Sequence, residues 1–276
     1  MTAKIIDGKK LAEQKKETLK KQVFKKKKIP CLAVVLVGNN PASQIYVRHK
    51  IKAAEDVGIK VLLYEKKEKI TQKELVSFIE TLNQNSEING IIVQLPLPKH
   101  ICSYDVLEAI QPDKDVDGLG SYNLGKLFTG HKELVPCTPL ACMDLIKQVR
   151  SDLDGLHAVV IGRSCLVGKP LAQLLLEENC TVTQAHSHTK NLAAVCQKAD
   201  ILIVAVGREN LVTADFVKPG AIVIDVGINR NTKGQVCGDV DFSSVSEVAG
   251  YITPVPGGVG PMTVYMLLQN VVNVSV

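Results

Sequence analysis

Residues 157–170 read His-Ala-Val-Val-Ile-Gly-Arg-Ser-Cys-Leu-Val-Gly-Lys-Pro. The pattern is that of an apolar strand, a glycine turn and the start of a helix. In such an arrangement the backbone N–H groups at the start of the helix can bind a phosphate group. The turn departs from the usual dinucleotide fingerprint: five residues separate Gly162 from Gly168, and Arg163 and Ser164 stand where small neutral residues are usual. The stretch predicts the first strand and helix of a Rossmann-type unit. A plain strand–helix connection is the alternative.

Apolar runs of strand length alternate with helical patterns on both sides of this turn, which favours an α/β fold with parallel sheets. We predict two domains, residues 1–139 with a C-terminal helix at 261–276, and residues 140–260. The predicted strands are 32–37, 60–64, 90–94, 157–161, 181–184, 201–206 and 221–225, and a helix is expected near 140–150.

The composition of the 276 residues is that of an ordinary globular protein, with 46% hydrophobic and 22% charged residues and a net charge of +5. The longest apolar runs are too short to span a bilayer, and the N-terminus lacks a secretory signal, so we predict a cytoplasmic protein with no membrane partner. Lysines cluster between residues 15 and 28, but 4% aromatic content and no Trp argue against nucleic-acid binding. The eight cysteines contain no Cys-x-x-Cys pair and are interpreted as small buried hydrophobes.

The end of the strand that follows the glycine turn indicates the cofactor. An NAD site generally has an acidic residue there, whereas this chain reads Ala-His-Ser-His-Thr at 185–189. Ser187 can donate to a 2′-phosphate, and Arg163 can add a charge-assisted bond to it, so NADP is favoured over NAD. A surface ion pair is the alternative for Arg163. Two histidines, His186 and His188, rarely make a metal site by themselves, and no metal is predicted.

Another candidate segment is a helix in the N-terminal half. Asn40 is a good N-cap and Pro41 a good first helical residue, so a helix should begin at the end of the strand that closes at Val37. Tyr46 and Lys50 are four residues apart and share one face of this helix, where the tyrosine can hold the lysine ammonium in place. An amphipathic pair on a helix surface is the alternative interpretation.

Two further segments carry polar residues at strand ends or turns. Gln94 ends an apolar strand and precedes a rigid Leu-Pro-Leu-Pro turn, at the edge where α/β sheets bind ligands. Asp113, Asp115 and Asp117 match the opening of a calcium-binding EF-hand loop, but the twelfth position is Leu124 rather than Glu, which disfavours calcium. These carboxylates either cap local structure or accept hydrogen bonds from a heterocyclic ligand.

Five motifs occur together and in order: Tyr46 with Lys50, Val-Gln-Leu-Pro-Leu-Pro at 93–98, the aspartate segment 113–118, Gly162-Arg163-Ser164 and Pro-Gly-Gly-Val-Gly-Pro-Met-Thr at 256–263. In this combination the chain resembles the bifunctional methylenetetrahydrofolate dehydrogenase/methenyltetrahydrofolate cyclohydrolases along essentially its full length. The resemblance implies oxidation of 5,10-methylenetetrahydrofolate by NADP and hydrolysis of the methenyl product to 10-formyltetrahydrofolate. It also implies a catalytic N-terminal domain, a Rossmann-type NADP-binding domain and an active-site cleft between the two.

The resemblance also implies roles for individual residues. Lys50 would be the acid/base group of the hydrolysis, and Gln94 would hydrogen-bond to it and adjust its reactivity. Tyr46 would pack beside the folate ring, and Asp117 would accept from the pterin's amino-pyrimidine edge. The further folate-binding residues would be Leu95, Pro96, Gly257, Gly258 and Pro261. The NADP-binding residues would be Thr138, Gly162, Arg163, Ser164, Val167, Gly168, Ser187 and Ile228.

Two other functions remain open from the residues alone. One is a different two-domain NADP dehydrogenase that acts on a small hydroxy or amino acid. The other is a noncatalytic nucleotide-binding module, which would bind NADP and would not need Lys50.

The family resemblance further implies a homodimer, a place in one-carbon metabolism that feeds purine biosynthesis, and folate substrates that carry polyglutamate tails.

Overall fold

The protein is described here by a computed structural model of residues 2–275, in which the chain forms two compact units. The six-stranded unit consists of Met1–Ala12 and Thr138–Thr263, and the three-stranded unit consists of Glu13–Cys137 and Val264–Val276. The chain thus passes between units close to the predicted positions 139 and 260. The N-terminal residues, by contrast, group with the six-stranded unit. The binding roles of the two predicted domains remain predictions.

Helices and strands alternate along most of the chain. The strands are β1 (Lys4–Ile5), β2 (Cys31–Val37), β3 (Lys60–Lys66), β4 (Gly90–Val93), β5 (His157–Ile161), β6 (Thr181–Ala185), β7 (Ile201–Val204), β8 (Ile222–Asp225), β9 (Asn229–Arg230), β10 (Val236–Cys237) and β11 (Tyr251–Ile252). The helices are α1 (Gly8–Phe24), α2 (Pro41–Asp56), α3 (Gln72–Gln84), α4 (Ser103–Glu108), α5 (Ser121–Phe128), α6 (Cys137–Val149), α7 (Gly168–Glu177), α8 (Leu192–Cys196), α9 (Phe242–Val245) and α10 (Val259–Val274), with a 3₁₀ turn at Ala214–Phe216.

The larger sheet has the strand order β1-β11-β8-β7-β5-β6, and all its pairs are parallel. The chain leaves β5 for β6 on one side and returns to β7 on the other, so the order reverses between β5 and β7. Ligands of open α/β sheets bind at the carboxyl ends of strands beside such a reversal. The core beneath it is aliphatic and includes Val159, Ile161, Leu202, Val204 and Val223.

The smaller sheet has the order β3-β2-β4 and is also parallel. Every residue of β2 is buried because β2 is the central strand, and this explains its continuous apolar sequence Cys-Leu-Ala-Val-Val-Leu-Val. The edge strand β3 is partly exposed and includes polar residues. The prediction of an α/β fold with parallel sheets is therefore confirmed.

Some elements were not predicted from the sequence. Strands β1 and β11 have two residues each and pair with each other, and β9 and β10 form a short antiparallel hairpin. Strand β1 is at the start of the chain and β11 is near its end. Their pairing brings the N-terminal residues into the six-stranded unit. The description of all cysteines as buried is wrong for Cys102 and Cys165, which are exposed, and for Cys237, which is only half-buried. Within residues 2–275, no helix combines the length and apolar character needed to cross a membrane.

Candidate active site

Lys50 and Gln94 meet at the carboxyl edge of the three-stranded sheet. Lys50 lies on α2, and Gln94 directly follows β4. The Lys50 Nζ donates to Gln94 Oε1 at 3.1 Å, and Gln94 Nε2 donates to the Leu95 carbonyl at 2.7 Å. Both side chains are half-buried. The amide therefore holds the ammonium by its oxygen and is itself oriented by the turn, where Pro96 is exposed.

Helix α2 begins as the sequence predicts. Asn40 is the N-cap, its side chain accepts from the Ser43 N–H at 3.1 Å, and Pro41 is the first helical residue. This fixed start sets where each later residue of the helix lies. Tyr46 and Lys50 are one turn apart and both half-buried, so the two side chains lie on neighbouring parts of one face.

The three aspartates at 113, 115 and 117 have different environments. Asp113 is exposed, Asp115 is buried and Asp117 is half-buried. The Asp115 carboxylate accepts from the backbone N–H groups of Gly118 and Gly120 at 3.1 and 2.8 Å. Burial raises the pKa of Asp115, and the hydrogen bonds from the Asn123 side chain and the Gly120 N–H oppose that shift. Asp115 therefore has a structural role in the turn. Asp117 is half-buried, and the backbone N–H groups of Gly118 and Gly120 bond to Asp115 rather than to it.

Cys137 connects Asp117 with Lys50. The thiol is fully buried and donates to the Val116 carbonyl at 3.3 Å. Burial raises its pKa well above the ordinary value, the Asp117 carboxylate raises it further through charge and a hydrogen bond, and the Lys50 charge lowers it. The charges of Asp117 and Lys50 both act on this thiol, and Lys50 is bonded to Gln94, so we group Lys50, Gln94, Asp117 and Cys137 as one cluster. The sequence offered no sign of this role for Cys137.

The glycine turn of the six-stranded unit is closely packed. Gly162 has φ +133°, and a Cβ there would lie 2.4 Å from the Ala205 carbonyl oxygen at the end of β7. A Cβ on Gly168 would lie 2.2 Å from the Gly162 oxygen. Only glycine fits at either position, because any side chain would meet backbone that cannot move away. The turn therefore leaves its backbone close to α7, whose first residue is Gly168.

The polar side chains of this turn face solvent. Arg163 and Ser164 are exposed, as is Ser187 after β6, and Val167 is half-buried as the N-cap of α7. Ser164 Oγ accepts from the Val167 N–H at 3.2 Å. Among residues 2–275, no group of three or more His, Cys, Asp or Glu side chains is arranged to hold a metal ion.

Two buried carboxylates that the sequence analysis missed support the neighbouring loops. Asp239 accepts from the backbone N–H groups of residues 206, 207 and 208 after β7, at 2.7 to 3.0 Å. Asp225, at the end of β8, accepts from the N–H groups of residues 227, 239 and 240. Burial raises the pKa of Asp225 to about 6. Together they fix the loop that carries Ile228, whose side chain is 49% exposed. The available signal for Asp239 was the sequence Gly-Asp-Val-Asp at 238–241.

The remaining predicted residues belong to the six-stranded unit. Gly257 has φ +111° and accepts through its carbonyl from the Lys9 N–H at 2.8 Å. Gly258 is buried, and a Cβ there would lie 2.6 Å from the Pro254 oxygen. Pro261 is half-buried in the first turn of α10, which begins at Val259, two residues before the predicted start. Thr138 is half-buried, and its hydroxyl lies 3.4 Å from that of Thr263.

Comparison with known families gives two matches along the chain. The catalytic domain of the tetrahydrofolate dehydrogenase/cyclohydrolase family matches residues 6–117. The NAD(P)-binding domain of the same family matches residues 136–276. The two matches together cover most of the sequence, and the first contains Lys50, Gln94 and Asp117.

Individual relatives are similar over nearly their whole length. The chain is 53% identical over 275 residues to the bifunctional protein FolD of Bacillus cytotoxicus, covering 99% of this chain and 96% of the relative. The crystal structure of the bifunctional FolD methylenetetrahydrofolate dehydrogenase/cyclohydrolase of Campylobacter jejuni is 50% identical, with a TM-score of 0.97 over 99% of this chain and 98% of that one. The Trypanosoma brucei enzyme, solved with NADP cofactor and an inhibitor, is 37% identical with a TM-score of 0.94 over 99% and 97%.

Proposed function

Because the chain belongs to the tetrahydrofolate dehydrogenase/cyclohydrolase family, we propose that it oxidises 5,10-methylenetetrahydrofolate with NADP and hydrolyses the product to 10-formyltetrahydrofolate. The oxidation removes a hydride from the carbon that bridges two nitrogens. Their lone pairs stabilise the resulting cation, so this step needs alignment rather than a strong base. The hydrolysis adds water to the same carbon and then breaks one carbon–nitrogen bond, so it needs a group that moves protons.

The residues of the six-stranded unit fit NADP. The turn from Gly162 to Gly168 has no room for a Cβ at either glycine, and it opens helix α7, the kind of site that receives a phosphate. The exposed side chains of Arg163, Ser164 and Ser187 are available to a 2′-phosphate. The further contacts would come from Thr138, Val167 and Ile228. When bound, NADP supplies the hydride acceptor.

We assign the folate chemistry to the cluster in the three-stranded unit. Asp117 accepts two hydrogen bonds from the amino-pyrimidine edge of the pterin, and Tyr46 packs beside the ring. Lys50 transfers protons during hydrolysis while Gln94 keeps its ammonium in place. The further folate contacts would come from Leu95, Pro96, Gly257, Gly258 and Pro261.

The observation that carries this assignment is the hydrogen bond of 3.1 Å between Lys50 Nζ and Gln94 Oε1. It gives the lysine a neutral partner rather than a carboxylate, so its ammonium is held in one place and not neutralised by an ion pair. An amphipathic surface pair would not need a half-buried amide at the end of a strand. The arrangement therefore favours an acid/base role for Lys50 over a purely structural one.

The experiment that tests the function is an absorbance assay with 5,10-methylenetetrahydrofolate and NADP. Formation of NADPH and decay of the methenyl product are followed separately, and we expect both. Absence of both would contradict the proposal. Oxidation of a small hydroxy or amino acid in their place would favour a different NADP dehydrogenase. Binding of NADP without any turnover would favour a noncatalytic module.

Replacing Arg163 with alanine should weaken use of NADP selectively. A charge-assisted bond from the guanidinium to the 2′-phosphate contributes about 1.5–3 kcal/mol, so we expect the KM for NADP to rise about 10- to 100-fold. NAD lacks this phosphate, and its KM should change little. The measurement is the KM for each nucleotide at saturating methylenetetrahydrofolate.

Arg150→Ala is the matched control for Arg163→Ala. Arg150 is also an exposed arginine of the six-stranded unit, but it precedes β5 and thus lies at the amino end of the strand that Gly162 follows. We expect unchanged KM values for both nucleotides in this variant. An equal rise in the KM for NADP and for NAD in Arg163→Ala would contradict a role for Arg163 in choosing the cofactor.

The remaining proposals concern the assembled protein in the cell. We propose a cytoplasmic homodimer in one-carbon metabolism, with a supply of formyl groups to purine biosynthesis, acting on folates that carry polyglutamate tails. The family membership supports these proposals. Light scattering after size-exclusion chromatography measures the mass in solution, and comparison of mono- and polyglutamylated substrates measures the preference for the tail.

A further inference from the structure

The carbonyl group of Val116, which immediately precedes Asp117, is bound by two side chains from distant parts of the sequence. Asn270 Nδ2, on the C-terminal helix α10, donates to this oxygen at 2.9 Å. The Cys137 thiol donates to the same oxygen at 3.3 Å. All of these residues belong to the three-stranded unit. The peptide bond that leads into Asp117 is therefore fixed by two donors.

Asn270 also fixes a second segment. Its Nδ2 lies 3.2 Å from the Val135 carbonyl and 3.6 Å from Cys137 Sγ. The turn after Asp117 lies directly against this segment, since a Cβ on Gly118 would be 2.6 Å from the Val135 carbonyl carbon. One amide thus joins the two pieces of chain whose relative position determines where the Asp117 carboxylate lies.

The apolar surroundings of Asn270 indicate that its amide is there for its hydrogen bonds. Asn270 is only 5% exposed, and its neighbours Leu267, Leu268 and Val271 on α10 are buried and apolar. An amide in such surroundings is costly unless it is hydrogen-bonded, and an aliphatic residue would fill the same space without that cost. The Asp117 carboxylate in turn acts on the Cys137 thiol and helps to raise its pKa. The polar contacts in this part of the core therefore converge on Asp117.

We propose that Asn270 and Cys137 are positioning residues for Asp117 and, through it, for the folate substrate. The inference rests on the proposed function, because it requires Asp117 to bind the pterin. Neither residue contacts the reacting atoms in this proposal. They set the position of the carboxylate before the substrate arrives, so the substrate does not have to order it.

The primary test is Asn270→Leu, measured as kcat/KM for methylenetetrahydrofolate at saturating NADP. Loss of this positioning should lower kcat/KM about tenfold, the size of one hydrogen bond. The KM for NADP should be unchanged. The matched control is Asn273→Leu, the same substitution at an exposed position of the same helix, where we expect wild-type values.

A double-mutant cycle distinguishes positioning from general damage to the fold. If Asn270 acts through Asp117, Asn270→Leu should have little effect in protein that already carries Asp117→Ala, within about twofold. The cycle uses kcat/KM, which is measurable from initial rates even when binding is weak. A tenfold loss in both backgrounds, or an equal loss of NADP binding, would overturn the inference.

A milder pair of variants keeps the test valid if Asn270→Leu does not fold. Cys137→Ala removes the donor to the Val116 oxygen and should lower kcat/KM for methylenetetrahydrofolate about threefold, whereas Cys137→Ser retains a donor and should preserve it. Equal values for the two variants would contradict the proposal. Wild-type protein is assayed alongside: if it does not oxidise methylenetetrahydrofolate, the proposed function fails, whereas wild-type activity with unaffected variants contradicts only this inference.

Discussion

Replacing Lys50 with methionine is expected to lower the hydrolysis of methenyltetrahydrofolate about 10³-fold, the typical contribution of a positioned acid/base group. Methionine has nearly the length of lysine and fills the same half-buried space, but it carries no transferable proton. The oxidation of methylenetetrahydrofolate should persist within about tenfold of wild type, because that step depends mainly on alignment of the reacting carbon. Binding of the folate should be largely intact.

The asymmetry follows from where protons move in the two reactions. Removal of a hydride leaves a cation stabilised by two nitrogen lone pairs, and no proton is transferred at the bridging carbon. Addition of water releases a proton, and cleavage of the carbon–nitrogen bond requires one on the departing nitrogen. Lys50, held by Gln94 at 3.1 Å, accepts the first proton in its neutral amine form and, as the ammonium, donates it to the departing nitrogen, while the hydroxyl proton of the adduct leaves to solvent.

The measurement separates the two activities in one preparation. NADPH formation reports the oxidation, and the decay of added methenyltetrahydrofolate, after subtraction of the nonenzymatic rate, reports the hydrolysis. Lys52→Met is the matched control, since Lys52 is exposed on the same helix, and this variant should retain both activities. Unchanged hydrolysis in Lys50→Met would refute the acid/base role. An equal loss of both activities would assign Lys50 to substrate binding instead.

The main strands and their parallel arrangement were predictable because their signals are local. Strand β2 has seven consecutive apolar residues and proved to be fully buried at the centre of its sheet. The turn after β5 needs glycine at two positions for steric reasons that act within a few residues and against the adjoining strand β7. Strands β1 and β11 have two residues each, too few to show a periodicity, and their pairing depends on contacts between opposite ends of the chain.

The site was predictable only in part, because some of its contacts join residues that are distant in the sequence. The alternation of Asp113, Asp115 and Asp117 could not indicate which carboxylate accepts hydrogen bonds from the backbone of the turn. That depends on how the chain folds back upon itself. The structure assigns that role to Asp115 through its bonds to the N–H groups of Gly118 and Gly120. Asn270 likewise carries no local signal, since its partners lie more than 130 residues away.

Replacing Asp117 with alanine should weaken folate binding about 100-fold and lower both activities. Two hydrogen bonds to a charged acceptor contribute about 3 kcal/mol together, which corresponds to this factor in the dissociation constant. The effect differs in kind from that of Lys50→Met, because the lost contact holds the substrate in both reactions. Isothermal titration with tetrahydrofolate measures the binding, and the two assays measure the activities.

Asp113 and Asp115 serve as controls for Asp117, because the structure gives the three aspartates different environments. Asp113→Ala changes an exposed carboxylate four residues earlier and should leave binding, both activities and stability unchanged. Asp115→Ala should lower the melting temperature, because it removes the buried carboxylate that accepts from the Gly120 N–H and from Asn123 Nδ2. Asp117→Ala should keep the wild-type melting temperature and the wild-type KM for NADP while losing folate binding. Wild-type folate binding in this variant would contradict the assignment, and a lowered melting temperature with equal loss of both ligands would mean that Asp117 supports the fold rather than the substrate.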